Sequence, residues 1–278
     1  MNIDAVKNFK VLLVGDAIID EYRYVTPLGK SIKEPVISVR LERIERFRGG
    51  VWAAASHLID LCKIVETQSG PDEMLNTRFV DQTHMRKLFT VHEQRPNNRI
   101  EQTRLEIGAY DVVIITDFGH GTMTKALIKQ ITKEARFLAV NAQTNSQNFG
   151  FNVISKYPRA NFVVLDELEA RLATHDKDSP IEDGMLRLGY PQVIVTRGPA
   201  GAIGYDGEFY SEKAQADRIV DTLGAGDAAL AVSAPFAAAG FAMPDLVHLS
   251  NAAGAVKVGI LGHQQRVTRA ALEAQLAR

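Results

Sequence analysis

The sequence predicts an α/β fold: a mainly parallel central sheet with helices on both faces, plus a small β lid. Three observations carry that expectation. Five short apolar runs are continuous rather than alternating, which is how strands buried on both faces read. Helix-forming stretches fall between most of them, the order of a covered parallel sheet. One arginine-rich region alternates apolar and polar residues instead, the pattern of a sheet with one wet face.

The five runs are residues 11–16, 112–117, 137–141, 162–166 and 193–196. Helices are expected over 53–61, 124–135, 167–173 and 181–188. Ligands of open α/β sheets bind at the carboxyl ends of the strands, where Asp16, Asp117 and Asp166 fall. In the lid, Ile37, Val39 and Leu41 alternate with Ser38, Arg40 and Glu42, and the stretch from Asn76 starts β-rich. Lid segments are therefore expected at about 21–48 and 76–106. Residues 202–210, centred on Asp206-Gly207, carry a hairpin signal. Residues 226–239, 246–258 and 269–276 read as alanine-rich helices. No low-complexity linker or repeat interrupts the chain, so a single domain over 1–278 is expected.

Composition narrows the function classes. Lysine and arginine number 32 against 33 acids, a net charge of -1, which argues against nucleic acid or a membrane surface as partner. The one cysteine, Cys62, rules out an intramolecular disulfide and reads as a small buried hydrophobe. No run approaches membrane-spanning length and the first ten residues hold no signal-like apolar core, so a cytoplasmic location is expected.

The most informative stretch is Asp221-Thr-Leu-Gly-Ala-Gly-Asp227, running straight into a helix. Gly224 and Gly226 free the backbone for a tight turn, and the amides that follow face outward at a helix N-terminus. That end attracts phosphate, or charge developing on one. A carboxylate at the same spot would repel a merely bound anion. It suits a base that takes a proton from a hydroxyl attacking the phosphate. The plain alternative is that Asp227 only caps the helix. A dinucleotide fingerprint, Gly224-x-Gly226-x-x-Ala229, fails on context because no clear second strand follows the helix. Asp117-Phe-Gly119 lacks the companion motifs of protein kinases, Gly29-Lys-Ser31 lacks the first glycine of a P-loop, and the seven histidines show no zinc spacing. His57 and His248 read as ordinary packed or surface residues, and His120 as a loop residue near the cleft.

Asp221 to Asp227 resembles the C-terminal signature of ribokinase-like (PfkB) sugar kinases, Asp-Thr-x-Gly-Ala-Gly-Asp. Other parts line up in order. Val14-Gly-Asp16 with Asp20 resembles the substrate-binding first strand, Gly49-Gly50 the diglycine motif, Val195-Thr-Arg-Gly198 with Gly201 the nucleotide-side turn, and Asn251 the segment bordering adenine. Residues 14–20, 34–36, 39–50 and 117–121 are most similar to bacterial heptose-phosphate kinases, which often work with a nucleotidyltransferase domain.

The resemblance implies ATP and Mg2+ as cofactors and a sugar or sugar phosphate as acceptor. Asp227 would be the base, and the amides of Ala225, Gly226 and Asp227, after Gly224, the anion hole. Asp16, Asp20, Gly49 and Gly50 would hold the sugar, Thr196, Gly198, Gly201 and Asn251 the nucleotide, and Glu169 with Asp166 the metal. One or two of Arg40, Arg43, Arg46 and Arg48 could reach an acidic group on the substrate. A homodimer paired through the lid and a separate nucleotidyltransferase partner are further expectations. The chain departs from the family in four places. Val51-Trp-Ala-Ala-Ala55 lacks the usual asparagine, Asp166-x-x-Glu169 replaces Asn-x-x-Glu, Asn141-Ala-Gln-Thr-Asn145 replaces Asp-Pro, and residues 61–77 are short by about a strand-helix unit. These keep a second reading open, a non-catalytic module that binds nucleotide or sugar.

Overall fold

The computed structural model describes residues 1–93, 99–100 and 106–278; the expected lid positions 94–98 and 101–105 lie outside them. The main sheet contains β1 (Lys10–Gly15), β4 (Ile64–Gln68), β7 (Val112–Asp117), β8 (Leu138–Ala142), β9 (Phe162–Asp166), β10 (Val193–Thr196), β11 (Ala202–Tyr205) and β12 (Phe209–Glu212). Its order is β12-β11-β10-β9-β8-β7-β1-β4. Pairing is parallel from β4 to β10, and the β11–β12 hairpin closes the other edge antiparallel. The second sheet is formed by β2 (Ala17–Lys30), β3 (Ile37–Gly50), β5 (Met74–Asp81) and β6 (Arg86–Glu93), in the order β3-β2-β5-β6.

Strand residues alternate between two cores, which explains why the runs are apolar throughout. Val11, Leu13, Val112, Ile114, Phe162 and Val164 pack on one face against α1 (Val51–Ser56), α5 (Ala225–Ala238), α6 (Met243–Val258) and α7 (Arg269–Leu276). Leu12, Val14, Val113, Ile115, Val163 and Leu165 pack on the other against α2 (Lys125–Glu134), α3 (Glu167–Thr174) and α4 (Ile181–Leu188). Helix α2 shows the local logic. Thr124 caps it by accepting from the Leu127 amide at 3.2 Å, while Leu127, Ile128 and Ile131 bury one stripe. Each such side chain stabilises by roughly 1.5–3 kcal/mol when fully buried. Cys62 lies in the first core, with its thiol pushed up to about 12 by burial.

Helix α6 starts at Met243, three residues before the expected 246, and two other regions differ further. Helix α1 stops at Ser56, whose hydroxyl turns back to the Ala53 carbonyl at 2.7 Å, and residues 57–61 continue as turns. The short 61–77 stretch keeps one strand, β4, at the open edge of the main sheet, and passes through residues 69–73 directly into lid strand β5. Among the described residues no helix is long and apolar enough to cross a membrane.

Candidate active site

Helix α5 begins at Gly224, in the left-handed region with φ 75°, and no side chain caps it. Among its first amides that of Ala225 makes a long contact of 3.4 Å with the Thr222 carbonyl, while no side chain competes for those of Gly226 and Asp227, which leaves this end open to an anion. Two cavities meet at this N-terminus. One, of about 170 Å3, is lined by Gly224 and Asp227 together with Asp20, Gly50 and lid residues of β5 and β6. The other, of about 180 Å3, is lined by Ala225 and Gly226 together with Thr196, Gly198, Gly201 and Asn251. The signature turn is thus the wall between them. A larger open groove of about 730 Å3, along Arg46, Arg48, Trp52 and Arg266, meets the site only at His263.

Asp227 is almost wholly buried, its Oδ1 has no hydrogen-bond partner, and burial pushes its carboxyl up to about 6. A buried acceptor without a donor is costly, and it is the state of a carboxylate kept for an incoming proton. Asp20 faces it across the cavity. Arg78 of β5 donates to Asp20 Oδ1, and His263 Nε2 lies 3.2 Å from Oδ2. Burial opposes ionisation of Asp20, but His263 and Arg78 together hold it below the ordinary carboxylate range. Gly49 lies behind this pair, where any Cβ would stand 2.3 Å from Asp20 Oδ2.

Asp16 is fully buried and does not line the cavity. It accepts from the Phe118 amide at 2.9 Å and the His120 amide at 3.5 Å, so it holds the turn after β7. Burial and the neighbouring Asp117 raise its pKa.

Asp166 and Glu169 form a capping box on α3. The Glu169 amide donates to Asp166 Oδ1 at 2.7 Å, and the Asp166 amide donates to Glu169 Oε2 at 2.8 Å. Glu169 also accepts from the Thr144 amide and Asn141, and burial with the Asp166 charge pushes it up to about 8. Asp166 pairs in register with Thr196 of the second cavity. Two hard oxygen donors with excess negative charge suit a magnesium ion that keeps its waters. Glu169 is the more committed of the two, so Asp166 is the carboxylate that would face such an ion. Among the described residues no cluster of three or more acidic, histidine or cysteine side chains forms a closed metal cage.

Several cavity residues were not singled out by sequence reasoning. Asn76 and Arg78 sit two apart on β5, His92 on β6 lies 2.7 Å from Asn76 Oδ1, and Gln143, Asn145 and Gln147 follow β8. Period two in a lid strand is a signal that could have found the first pair. Loop residue His263 had none. None of Arg40, Arg43, Arg46 and Arg48 lines this cavity; Arg40, Arg43 and Arg46 pair with Glu42, Glu45 and Glu21, and Arg48 lies over Trp52. His120 does line it. His248 pairs with Glu212, while buried His57 accepts from the Val267 amide at 2.9 Å and is pushed down to about 3 by burial.

Comparison with known proteins bears on the family and the fold. The chain is 26% identical over 299 residues to the bifunctional protein HldE of Gluconacetobacter diazotrophicus, covering 91% of this chain and 60% of that protein. It therefore spans about 60% of the length of the curated relatives it matches. The ribokinase of Thermotoga maritima superposes with a TM-score of 0.75 at 17% identity, over 97% of this chain and 100% of that one. Arabidopsis thaliana ribokinase, complexed with ribose and ATP, gives 0.75 at 13% identity over 98% and 100%. These likenesses establish the ribokinase-like fold. The pattern of the pfkB family carbohydrate kinases matches residues 62–268, and the chain belongs to that family.

Proposed function

We propose that this carbohydrate kinase transfers the γ-phosphoryl group of ATP to a hydroxyl of a sugar or sugar phosphate held under the lid. One observation carries the reading. Asp227 is buried at the wall between two cavities with an unpartnered oxygen, beside helix amides that can take phosphate charge. Asp227 removes the hydroxyl proton as the oxygen attacks. The amides of Ala225, Gly226 and Asp227 offset charge on the transferring group, a preorganised donor set that often supplies the largest catalytic contribution. Thr196, Gly198, Gly201 and Asn251 form the nucleotide side. Asp20, with Gly49 and Gly50 behind and beside it, grips sugar hydroxyls, and Asp16 supports the floor. Magnesium near Asp166 and Glu169 would neutralise phosphate oxygens.

Arg78, His92, His120, Asn76 and Asn145 bring polar groups to the acceptor cavity, which supports an oxygen-rich acceptor such as a sugar or sugar phosphate. The relative is named bifunctional and extends beyond the matched 60% of its length, which favours a second activity as working partner, here taken to be a separate nucleotidyltransferase. A cytoplasmic location and a lid-to-lid homodimer belong to the same reading.

The test is ADP release from Mg-ATP against free and phosphorylated sugars, beside Asp227→Asn. One sugar should stimulate release, and the variant should lose at least about a hundredfold in turnover with nucleotide affinity within a few-fold. Sugar and nucleotide binding without turnover in the unmodified protein would favour the non-catalytic module.

A further inference from the structure

Lys257, near the C-terminal end of α6, is fully buried. Its ammonium donates to the Leu223 carbonyl at 2.8 Å and the Gly262 carbonyl at 2.6 Å. The same two residues point their amides at Asp221, Leu223 to Oδ1 and Gly262 to Oδ2, each at 3.1 Å. Two peptide segments are thus clamped between a carboxylate and an ammonium, amides toward one and carbonyls toward the other. Asp221 also accepts from Lys87 of the lid at 2.7 Å and from the Tyr22 hydroxyl at 3.3 Å.

The clamp lies directly under the turn that opens α5. A Cβ placed on Gly224 would stand 3.3 Å from Lys257 Cε and 2.9 Å from His263 Cε1, so these side chains form the floor of the turn. An apolar residue at 257 would leave two buried carbonyls unpaired. A compact positive charge satisfies both and adds to the positive potential at the helix N-terminus.

We propose that Lys257 is a built-in monovalent cation, a positioning residue whose ammonium fills a carbonyl-lined site and fixes the anion-hole turn without any added ion. Burial lowers its pKa while the carboxylates of Asp221 and Asp227 oppose that shift. The catalytic consequence rests on the kinase reading; the site itself does not.

The experiment uses the whole chain, Lys257→Ala and Lys257→Met, in Mg-ATP with tetramethylammonium as the only monovalent cation before potassium or ammonium is added. The unmodified protein should turn over without either ion and change by less than about twofold when one is added. Lys257→Ala, which leaves room for an ion, should lose roughly tenfold or more and recover with ammonium or potassium. Its melting temperature should rise with the same ions by mass action. Lys257→Met, whose stem fills the space, should lose activity without recovery.

An unmodified enzyme that requires potassium overturns the proposal. So does an alanine variant whose melting temperature ignores both ions. If no sugar is turned over by any of the proteins but the alanine variant alone is stabilised by these ions, the kinase reading fails and the cation site stands. Should both variants fail to fold, the response of the unmodified protein to potassium decides: indifference supports the proposal and stimulation overturns it.

Discussion

The two cavities share one helix N-terminus and are made of different material. The nucleotide side is walled by small groups, Gly198, Gly201, Ala225, Gly226, Gly254 and Ala255, with a few polar tips such as Thr196 and Asn251. The acceptor side is walled by long polar side chains, Asn76, Arg78, His92, Gln143, Asn145 and His263, brought from the lid and from loops far apart in the chain. The first site is shape made by backbone; the second is chemistry made by side chains. A ligand shared by a whole family needs only the first. On the proposed reading, choice among acceptors is made in the second, where side chains can change without disturbing the fold.

Asp227 stands between the two, so pH should separate them most strongly. Its carboxyl is pushed up to about 6 by burial, and only the ionised form can take a proton. kcat/KM should therefore fall about tenfold per pH unit below that value, while nucleotide binding stays nearly flat. The acid limb should vanish in Asp227→Asn. Stability runs the opposite way. The folded pKa lies above the ordinary 3.8, so the stabilisation from the protonated form is complete below 3.8 and lost as pH rises through about 6. Asp227→Asn should gain up to about 3 kcal/mol at pH 7 relative to the native chain, read from thermal melts at pH 4 and 7. A profile without the limb, or a variant that melts lower at both pH values, would remove Asp227 from the role of base.

What could be read from the sequence follows the same division. The parallel strands were legible because both faces of each are buried, so their residues are apolar without interruption. Helices α4 and α7 agree with expectation to the residue, each carrying its own local signals. Strand β4 was not legible: Ile64-Val-Glu-Thr-Gln68 is a half-exposed edge with mixed polarity. Long strand β2 was hidden because it lies in the lid sheet with its first nine residues largely buried on both faces and its last four exposed, so it obeys no single burial pattern. In the site, the glycines of the signature turn stand out because Gly224 needs a positive φ. His263 and Lys257 do not, because their partners Asp20 and Leu223 are distant in sequence and a lone side chain has no spacing to read.

Arg78 tests whether the acceptor side can be altered alone. It is buried against Asp20 and carries that carboxylate into the lid sheet, with its guanidinium 5.7 Å from the centre of the Tyr22 ring. Arg78→Met should raise the sugar KM by about tenfold and cost about 3 kcal/mol of stability, since it strands a buried carboxylate. The ATP KM should move less than about twofold. Equal changes in both would mean that the cavities are one energetic unit.

The smallest effect concerns the outside of the lid. Among the described residues strands β3 and β6 are its two edges, and β3 displays apolar side chains; Ile37 is 76% exposed and Leu41 50%. Exposed edges of this kind are covered in stable proteins, and a second copy of the same lid supplies matching strands across a two-fold axis. Light scattering at micromolar concentration should therefore give twice the 30.6 kDa of one chain. A lysine at the centre of the face, Leu41→Lys, should shift the mass toward one chain, because the charge would have to be buried against its own symmetry mate. Asp227, the proposed base, and the signature turn line a cavity that does not include Leu41, so turnover at saturating substrate should change by less than about threefold. A monomeric native chain would leave the lid as a cover for the acceptor cavity only. A dimeric Leu41→Lys would put the contact on another face of the molecule.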